Sequence, residues 1–509
     1  MPLFAAPRSV SWGIGDIGDL PSLTAWLAGA GQRVLQLLPL NEMARGQQSP
    51  YSAMSAMAID PIYIDMAAVP EFAALGGERA LAEADRERLA GARASASVDY
   101  ATVRALKHRA LQMAFGRLLS DRARQRELAA FAERESWWLR DYALYRALHE
   151  RESHRPWTAW PRPLQARDRD ALAEAGRELA HEILFHEFQQ WLADTQWRYA
   201  REAAAANGVA LFGDLPFMVD GDSADVWAHQ DEFHLDRSVG VPPDAFSATG
   251  QDWGMPAYRW DVIAARGFPW LRLRARRSAA LFDGYRVDHL VGFYRTYSRP
   301  RLGGDAAFEP VEEAAQVALG EQNLAVFREP GAEIIAEDLG IVPEFVRASL
   351  ARLGAPGFKI VRWEREWEAA GQPFRDPATY PPVSVAASGT HDTETVRAWW
   401  ERSPEDERRA LALVASAGRL RLADALTAAT FTPAVRDALI ELLLASSSAL
   451  ALMPIQDLFG WAERINEPGT VTPHNWTYRL PWAVDRLADE PEARERQAAL
   501  RTLTARHGR

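Results

Sequence analysis

The sequence predicts an α/β chain, a (β/α)8 TIM barrel with helical insertions and long loops at the C-terminal face of its strands. Three observations point there. Eight short β-like runs recur along the 509 residues, with helix-like segments between many of them. No glycine-rich phosphate loop anchors these runs, which argues against an open doubly wound sheet. Several runs also end in acids, and barrels of this kind gather their reactive groups at the C-terminal ends of the strands.

SVSWG at 9–13 reads as the first strand. The stretch SWGIGDIGDL also spells G-x-G-x-x-G through Gly13, Gly15 and Gly18, the spacing of a dinucleotide-binding turn. That fingerprint needs the helix to begin inside the glycine loop, so that its amides face a pyrophosphate. Here Pro21 suits the first helical turn and Asp19 the N-cap, which leaves Gly18 ahead of the helix. Asp16 and Asp19 would also put two carboxylates where an anion should sit. The stretch therefore reads as a turn that passes close to the barrel mouth.

VLQLLPL at 34–40 reads as the second strand. Residues 66–205 are rich in Ala, Arg, Glu and Leu with helical periodicity, as in FAERESWWLRDYALYRALHE, and read as a helical insertion after it. Within it HEILFHEF resembles a zinc motif, but His181 and His186 are five residues apart. H-E-x-x-H needs four to keep both rings on one helix face, so no metal site is expected. The later strands are VALFGDLPF at 209–217, FDGYRVDHL at 282–290, EIIAEDLG at 333–340, GFKIVRWE at 357–364, VSVAASGTHD at 383–392 and LALMPIQDL at 450–458. Residues 220–260 and 295–330 read as loop-rich, the first as an active-site loop insertion, and 401–448 as further helix. With no internal repeat, 1–509 reads as a single catalytic barrel domain.

Composition narrows the function. Lys and Arg total 58 against 69 Asp and Glu, a net charge of −11, so there is no electrostatic footprint for nucleic acid. The absence of cysteine excludes disulfides, thiol catalysis and thiolate metal sites. MPLFAAPRSV has no basic n-region, and the longest apolar run, LLLASSSALALMPI, is too short for a bilayer, so a cytoplasmic, membrane-free chain is expected. Asn475-Trp476-Thr477 then reads as a coincidental sequon. The 19 tryptophans suit a core, and also a groove that stacks on flat apolar faces such as pyranose rings.

The acids at the run ends carry the chemistry: Asp214, Asp288, Glu337, Asp392 and Asp457. Side chains alternate along a strand, so Arg286 and Asp288 in FDGYRVDHL point the same way. An arginine beside a carboxylate favours its ionised form, which suits a nucleophile. Glu337 and Asp338 face opposite ways, so one serves a site at the strand end while the other faces away. His391 and Asp392 end the seventh strand. Two carboxylates flanking a sugar can run retaining glycoside chemistry, one as nucleophile and one as acid/base.

The set GYRVDH, AEDLG and GTHD resembles the α-amylase superfamily, and within it the chain is similar to the amylomaltases, the 4-α-glucanotransferases or disproportionating enzymes. GIGDIG, QLLPL, SPYSAMSAMAIDPIYID, GDLPFMVDGDSADVW, GVPPDAFSATGQDWGMPAYRW, QDLFG, RINEPGTV and NWTYRLP extend the likeness almost end to end. The resemblance implies transfer of α-1,4-glucan segments, with Asp288 as nucleophile, Glu337 as acid/base and Asp392 gripping ring hydroxyls and helping to distort the sugar. Arg286 would orient Asp288. Tyr51, Asp214, His289, His391 and Asn466 would bind hydroxyls or stack near the cleaved bond, and Trp253, in a loop at 247–256, would overhang the groove. It implies no metal and no cofactor. Partners would be maltooligosaccharide or glucose donors and acceptors, with no nucleic acid or membrane, and the chain a monomer or homodimer. A retaining α-glucan hydrolase and a catalytically silent glucan-binding protein remain as alternatives.

Some features depart from the family pattern. No Thr-Ser-Leu-Pro stretch precedes the first turn, so strand one is expected to be abbreviated. Gly284-Tyr285 replaces paired aliphatics, Val291 stands where Arg is frequent, and VRWEREW replaces a more apolar continuation after strand six. These bear on chain-length and acceptor preference rather than on the reaction class.

Overall fold

The computed structural model describes residues 1–243 and 250–509. Its strands, in chain order, are β1 Val34–Gln36, β2 Ala210–Leu215, β3 Phe233–Val241, β4 Gln251–Tyr258, β5 Gly284–Val287, β6 Thr296–Pro300, β7 Ala307–Glu309, β8 Glu333–Ala336, β9 Gly357–Ile360, β10 Ser384–Ala387 and β11 Leu450–Leu452. Seven of them form one sheet in the order β1-β2-β5-β8-β9-β10-β11. Every pair in it is parallel. Central strands such as Gly284–Val287 and Ser384–Ala387 are buried at every position, as a sheet covered by helices requires.

The sheet curls until its two edges face each other. Val34–Gln36 on one edge and Ala451–Leu452 on the other line the same cavity, of about 120 Å³. Met1 lies beside β1 with the bonding of a parallel bridge: its N donates to Gln36 O at 2.5 Å, and Leu38 N donates to Met1 O at 3.1 Å. The architecture is the expected TIM barrel.

The first predicted strand, 9–13, is a set of turns instead. The reason is a local ion pair. The Arg8 guanidinium donates to Asp19 Oδ1 at 2.6 Å, the Ser11 hydroxyl donates to the same oxygen at 2.7 Å, and the chain folds back around them. Gly13 takes φ +81° there, which an L side chain rarely adopts. Asp19 does stand at the N-cap of the helix Leu20–Gly29, with Pro21 in its first turn, but its carboxylate accepts from Arg8, Ser11 and the Asp16 amide rather than from the amides of that helix.

Residues 220–260 and 295–330, read from sequence as loop-rich, hold more regular structure than that. β3, β4, β6 and β7 pair as a four-stranded antiparallel sheet in the order β4-β3-β6-β7, and Glu313–Arg328 is a helix. The β3–β6 pairing joins Val239 to Ser298 across a long stretch of chain, so no local pattern announces it. Of the predicted loop at 247–256, residues 247–249 lie outside the described residues, and the rest belongs largely to β4.

Helices fill the chain between β1 and β2, the longest being Tyr100–Leu118, Ser136–Arg151 and Ala180–Ala206. His181 lies against the Phe115 ring, while His186 is buried beside Glu150 and Gln189, so the two rings have separate surroundings. No described helix is long and apolar enough to cross a membrane.

The core is close-packed against this frame. A Cβ added to Gly320, in the helix Glu313–Arg328, would overlap the ring of Tyr294, whose hydroxyl is tied to Ser349 at 2.9 Å. Overpacking of this kind costs roughly 1–3 kcal/mol. Gly320→Ala should therefore lower the midpoint of thermal unfolding, and an unchanged midpoint by calorimetry would contradict this packing.

Candidate active site

The register of the parallel sheet builds the site. β2 and β5 pair with Asp214 opposite Arg286, so these side chains leave neighbouring strands at one level. Arg286 Nη1 lies 2.8 Å from both Asp214 oxygens, and Nη2 lies 2.8 Å from Asp288 Oδ1. Asp288 follows the last residue of β5, and its N donates to Leu215 O at 3.0 Å. Arg286 is buried, and although burial opposes its charge, Asp214 and Asp288 hold its pKa well above the usual value. Asp214 is pushed up by burial, with Arg286 opposing, and it accepts the Tyr51 hydroxyl at 2.8 Å.

Tyr51 comes from the loop after β1. Bridges between Asn41 and Ile59 and between Met43 and Ala53 fold that loop. The buried Glu42 ties it to the inserted helices, accepting from Tyr142 Oη at 2.5 Å and lying 3.2 Å from Arg146 Nε.

Glu337 stands one residue beyond β8, where its N donates to Val287 O at 3.1 Å. Its carboxylate accepts from two backbone amides, His289 N at 2.8 Å and Leu339 N at 3.0 Å. His289 adopts φ +43°, a left-handed conformation sparsely populated by non-glycine residues, and this brings its amide to Glu337. Burial pushes the Glu337 carboxyl up to about 7, with Asp288 adding to the rise and Arg286 opposing it. Burial pushes the His289 imidazole down to about 4, so the ring is neutral near pH 7.

Asp392 lies in the loop after β10. His391 Nε2 is 3.2 Å from its Oδ2, and Asn466 Nδ2 donates to its Oδ1 at 2.6 Å. Burial disfavours the charged form, but His391, Asn466 and Arg286 outweigh it and hold the carboxyl well below the usual range. Tyr51 stacks on His391 at 5.2 Å between centroids. Trp253 meets His289 edge to face at 5.0 Å and is partly buried rather than overhanging freely.

The fold thus brings Tyr51, Asp214, Arg286, Asp288, His289, Glu337, His391, Asp392 and Asn466 together, with Trp253 at the edge beside His289. Asp457 is not among them. It braces the loop below, accepting from Ser388 Oγ at 2.6 Å and Val396 N at 2.8 Å. Two residues escaped the sequence reading. Trp476 packs on His391 at 5.7 Å and on Tyr51 at 5.9 Å, and Arg464 Nη2 donates to Asp392 O at 2.8 Å. Both lie in quoted motifs, RINEPGTV and NWTYRLP, but a lone Trp or Arg gives no spacing that would place it.

The chain is similar to known proteins over most of its length. A family model described as 4-alpha-glucanotransferase matches residues 1–485. The chain is 37% identical over 487 residues to the 4-alpha-glucanotransferase of Thermus thermophilus, covering 92% of this chain and 92% of that one. It is 34% identical to the 4-alpha-glucanotransferase of Synechocystis sp., over 92% of this chain and 90% of the relative. Among solved structures it is similar to the amylomaltase from Streptococcus agalactiae in complex with acarbose, with a TM-score of 0.84 and 27% identity, over 100% of this chain and 98% of that one.

The elevated carboxyl has a direct readout. Burial favours the neutral form, so Glu337 should stay protonated as pH rises past the ordinary carboxylate range and lose its proton near pH 7. Burial also pushes the Glu232 carboxyl up to about 7, so carbon-13 NMR of labelled glutamate side chains should show two signals titrating there, one of them absent in Glu337→Gln. If Glu337→Gln removes only a signal that titrates below about pH 5.5, Glu337 does not hold its proton to neutral pH.

Proposed function

Because the chain belongs to the 4-alpha-glucanotransferase family, we propose that Asp288, Glu337 and Asp392 carry out the transfer of α-1,4-glucan segments between maltooligosaccharides by retaining double displacement. The observation that carries the assignment is the contrast between two neighbouring carboxyls at adjacent strand ends. Asp288 is fastened to a buried guanidinium, and Glu337 is held where its proton stays on until about pH 7.

In the first step the Glu337 carboxyl donates its proton to the glycosidic oxygen as the bond from that oxygen to C1 breaks. An oxygen of Asp288 bonds to C1 from the opposite face, giving a β-glycosyl ester and a freed shorter glucan. In the second step the 4-hydroxyl of an acceptor sugar attacks C1, its proton passes to the Glu337 carboxylate, and the ester bond to Asp288 breaks. Arg286 orients the nucleophile and balances the charge of Asp288 and Asp214. Asp392, set by His391 and Asn466, accepts hydrogen bonds from ring hydroxyls. Tyr51, His289 and Trp476 form the apolar and hydrogen-bonding walls, and Asp214 acts through Arg286 and Tyr51. None of these roles needs a metal or an organic cofactor.

Water can attack the same ester. The transferase reading is supported by Trp253, whose ring lies against His289 and shields the catalytic end of β5 from one side. Gly250 and Gly254, at φ +70° and +74°, lie on either side of Trp253 at the start of β4.

Maltotriose alone should yield glucose together with oligomers longer than itself. Chromatography showing only glucose and maltose, with no lengthening, would favour the hydrolase alternative. Trp253→Ala should raise the ratio of new reducing ends to transferred segments while leaving the unfolding midpoint within a few degrees. An unchanged ratio in a folded variant would remove Trp253 from the water-excluding role.

A further inference from the structure

The motif VRWEREW finds no place in the site described above, yet it holds the two most exposed tryptophans. Among the described residues, twelve of the 19 tryptophans are buried and five are half-buried. Only Trp363 and Trp367 are exposed, at 42% and 56%. Both lie in the loop after β9, so both sit at the C-terminal edge of the barrel, between the loop carrying Glu337 and the loop carrying Asp392.

That loop is anchored to the catalytic face. Arg362, next to Trp363, is buried, and its Nη2 donates to Ser388 O at 2.9 Å while its Nη1 donates to Glu394 O at 3.1 Å. Those two carbonyls bracket His391 and Asp392, so the turn that presents Trp363 is fastened to both sides of the Asp392 loop. Beyond it the chain folds back on itself: Glu366 N donates to Pro373 O at 3.0 Å, and Arg375 N donates to Glu364 O at 2.9 Å. Phe374 is buried, Arg365 lies 4.0 Å over its ring, and the same guanidinium reaches Glu407 at 2.6 Å. The hairpin is thus held from below, while its two indoles are left in solvent.

An exposed indole forgoes the burial that the other tryptophans achieve. A hairpin anchored in this way and bearing two of them beside the candidate active site suits a ligand with flat apolar faces and hydroxyl edges. Its charges balance, with Arg362, Arg365 and Arg375 against Glu364, Glu366 and Glu368, so it offers nothing to select a charged polymer. We propose that Trp363 and Trp367 form an outer platform on which the α-1,4-glucan chain rests as it leaves the catalytic centre. The inference builds on the transferase reading. It adds that this hairpin sets a preference for long chains.

The test compares Trp363→Ala, Trp367→Ala and the double variant with the parent protein. Binding of maltoheptaose and of soluble amylose is measured by calorimetry, and kcat/KM for transfer is measured with maltotriose and with maltoheptaose. Loss of one stacking face should raise the Kd for the long chains roughly five- to tenfold. It should lower kcat/KM for maltoheptaose by more than for maltotriose. The proposal is overturned if long-chain Kd values stay within twofold of the parent, or if both substrates lose activity equally. Failure of the parent to lengthen maltotriose would instead overturn the transferase reading, and long-chain binding would still decide the platform. The unfolding midpoint distinguishes loss of the hairpin itself, and an Arg365→Ala variant that loosens the hairpin while keeping both indoles should weaken long-chain binding as well.

Discussion

A positive charge buried inside the barrel is the constraint on which the site depends. Arg286 has almost no access to water, and a guanidinium in that position is tolerated only with carboxylates at hydrogen-bond distance. Asp214 and Asp288 are those carboxylates. Asp214 reaches it through strand register, and Asp288 through the two-residue alternation along β5 and the bond from its amide to Leu215 O. Displacing any one of the three leaves a charge buried without its partner. The position of Asp288 is thereby tied to the stability of the barrel floor.

Around that charge the protein shifts two half-buried acids in opposite directions. Glu337 meets backbone amides and the nearby charge of Asp288, and burial dominates, so its proton is retained. Asp392 is only partly withdrawn from water, and His391, Asn466 and Arg286 all favour its anion and outweigh the cost of desolvation. Nothing intrinsic to glutamate or aspartate creates this division. It follows from which donors the neighbouring loops deliver, and those loops are held by distant parts of the chain: Arg464 to the Asp392 carbonyl, and Glu42 to the inserted helices.

The tryptophans show how one residue type is divided between stability and recognition. Most serve as core, as in the cluster of Trp160, Trp227 and Tyr145 between the insertion and the segment after β2. Their number alone suggested a stacking groove. Outside the core stand Trp253, packed on His289, and the exposed pair after β9, while Trp476 packs on Tyr51 and His391.

The sequence by itself determined the fold class, and it pointed to Asp288, Glu337 and Asp392, which the structure places at strand ends around Arg286. Parallel strands ending in acids, separated by helices, leave a period that local reading can follow, and GYRVDH, AEDLG and GTHD each lie within a few residues. It also sufficed to reject the dinucleotide turn, because Pro21 and Asp19 mark the helix start locally. It erred where contacts are long-range. The segment 9–13 has strand-like composition, but the Arg8–Asp19 pair turns it. The residues around β3 and β6 read as loops because the pairing that joins their two hairpins, Val239 with Ser298, spans a long stretch of chain. Tertiary structure alone decided that Asp457 braces a loop while Asp214 holds the arginine, that Trp476 joins Tyr51 and His391, and that Glu337 keeps its proton. Those outcomes depend on burial and on donors brought from distant segments, and neither quantity is written in any local stretch of sequence.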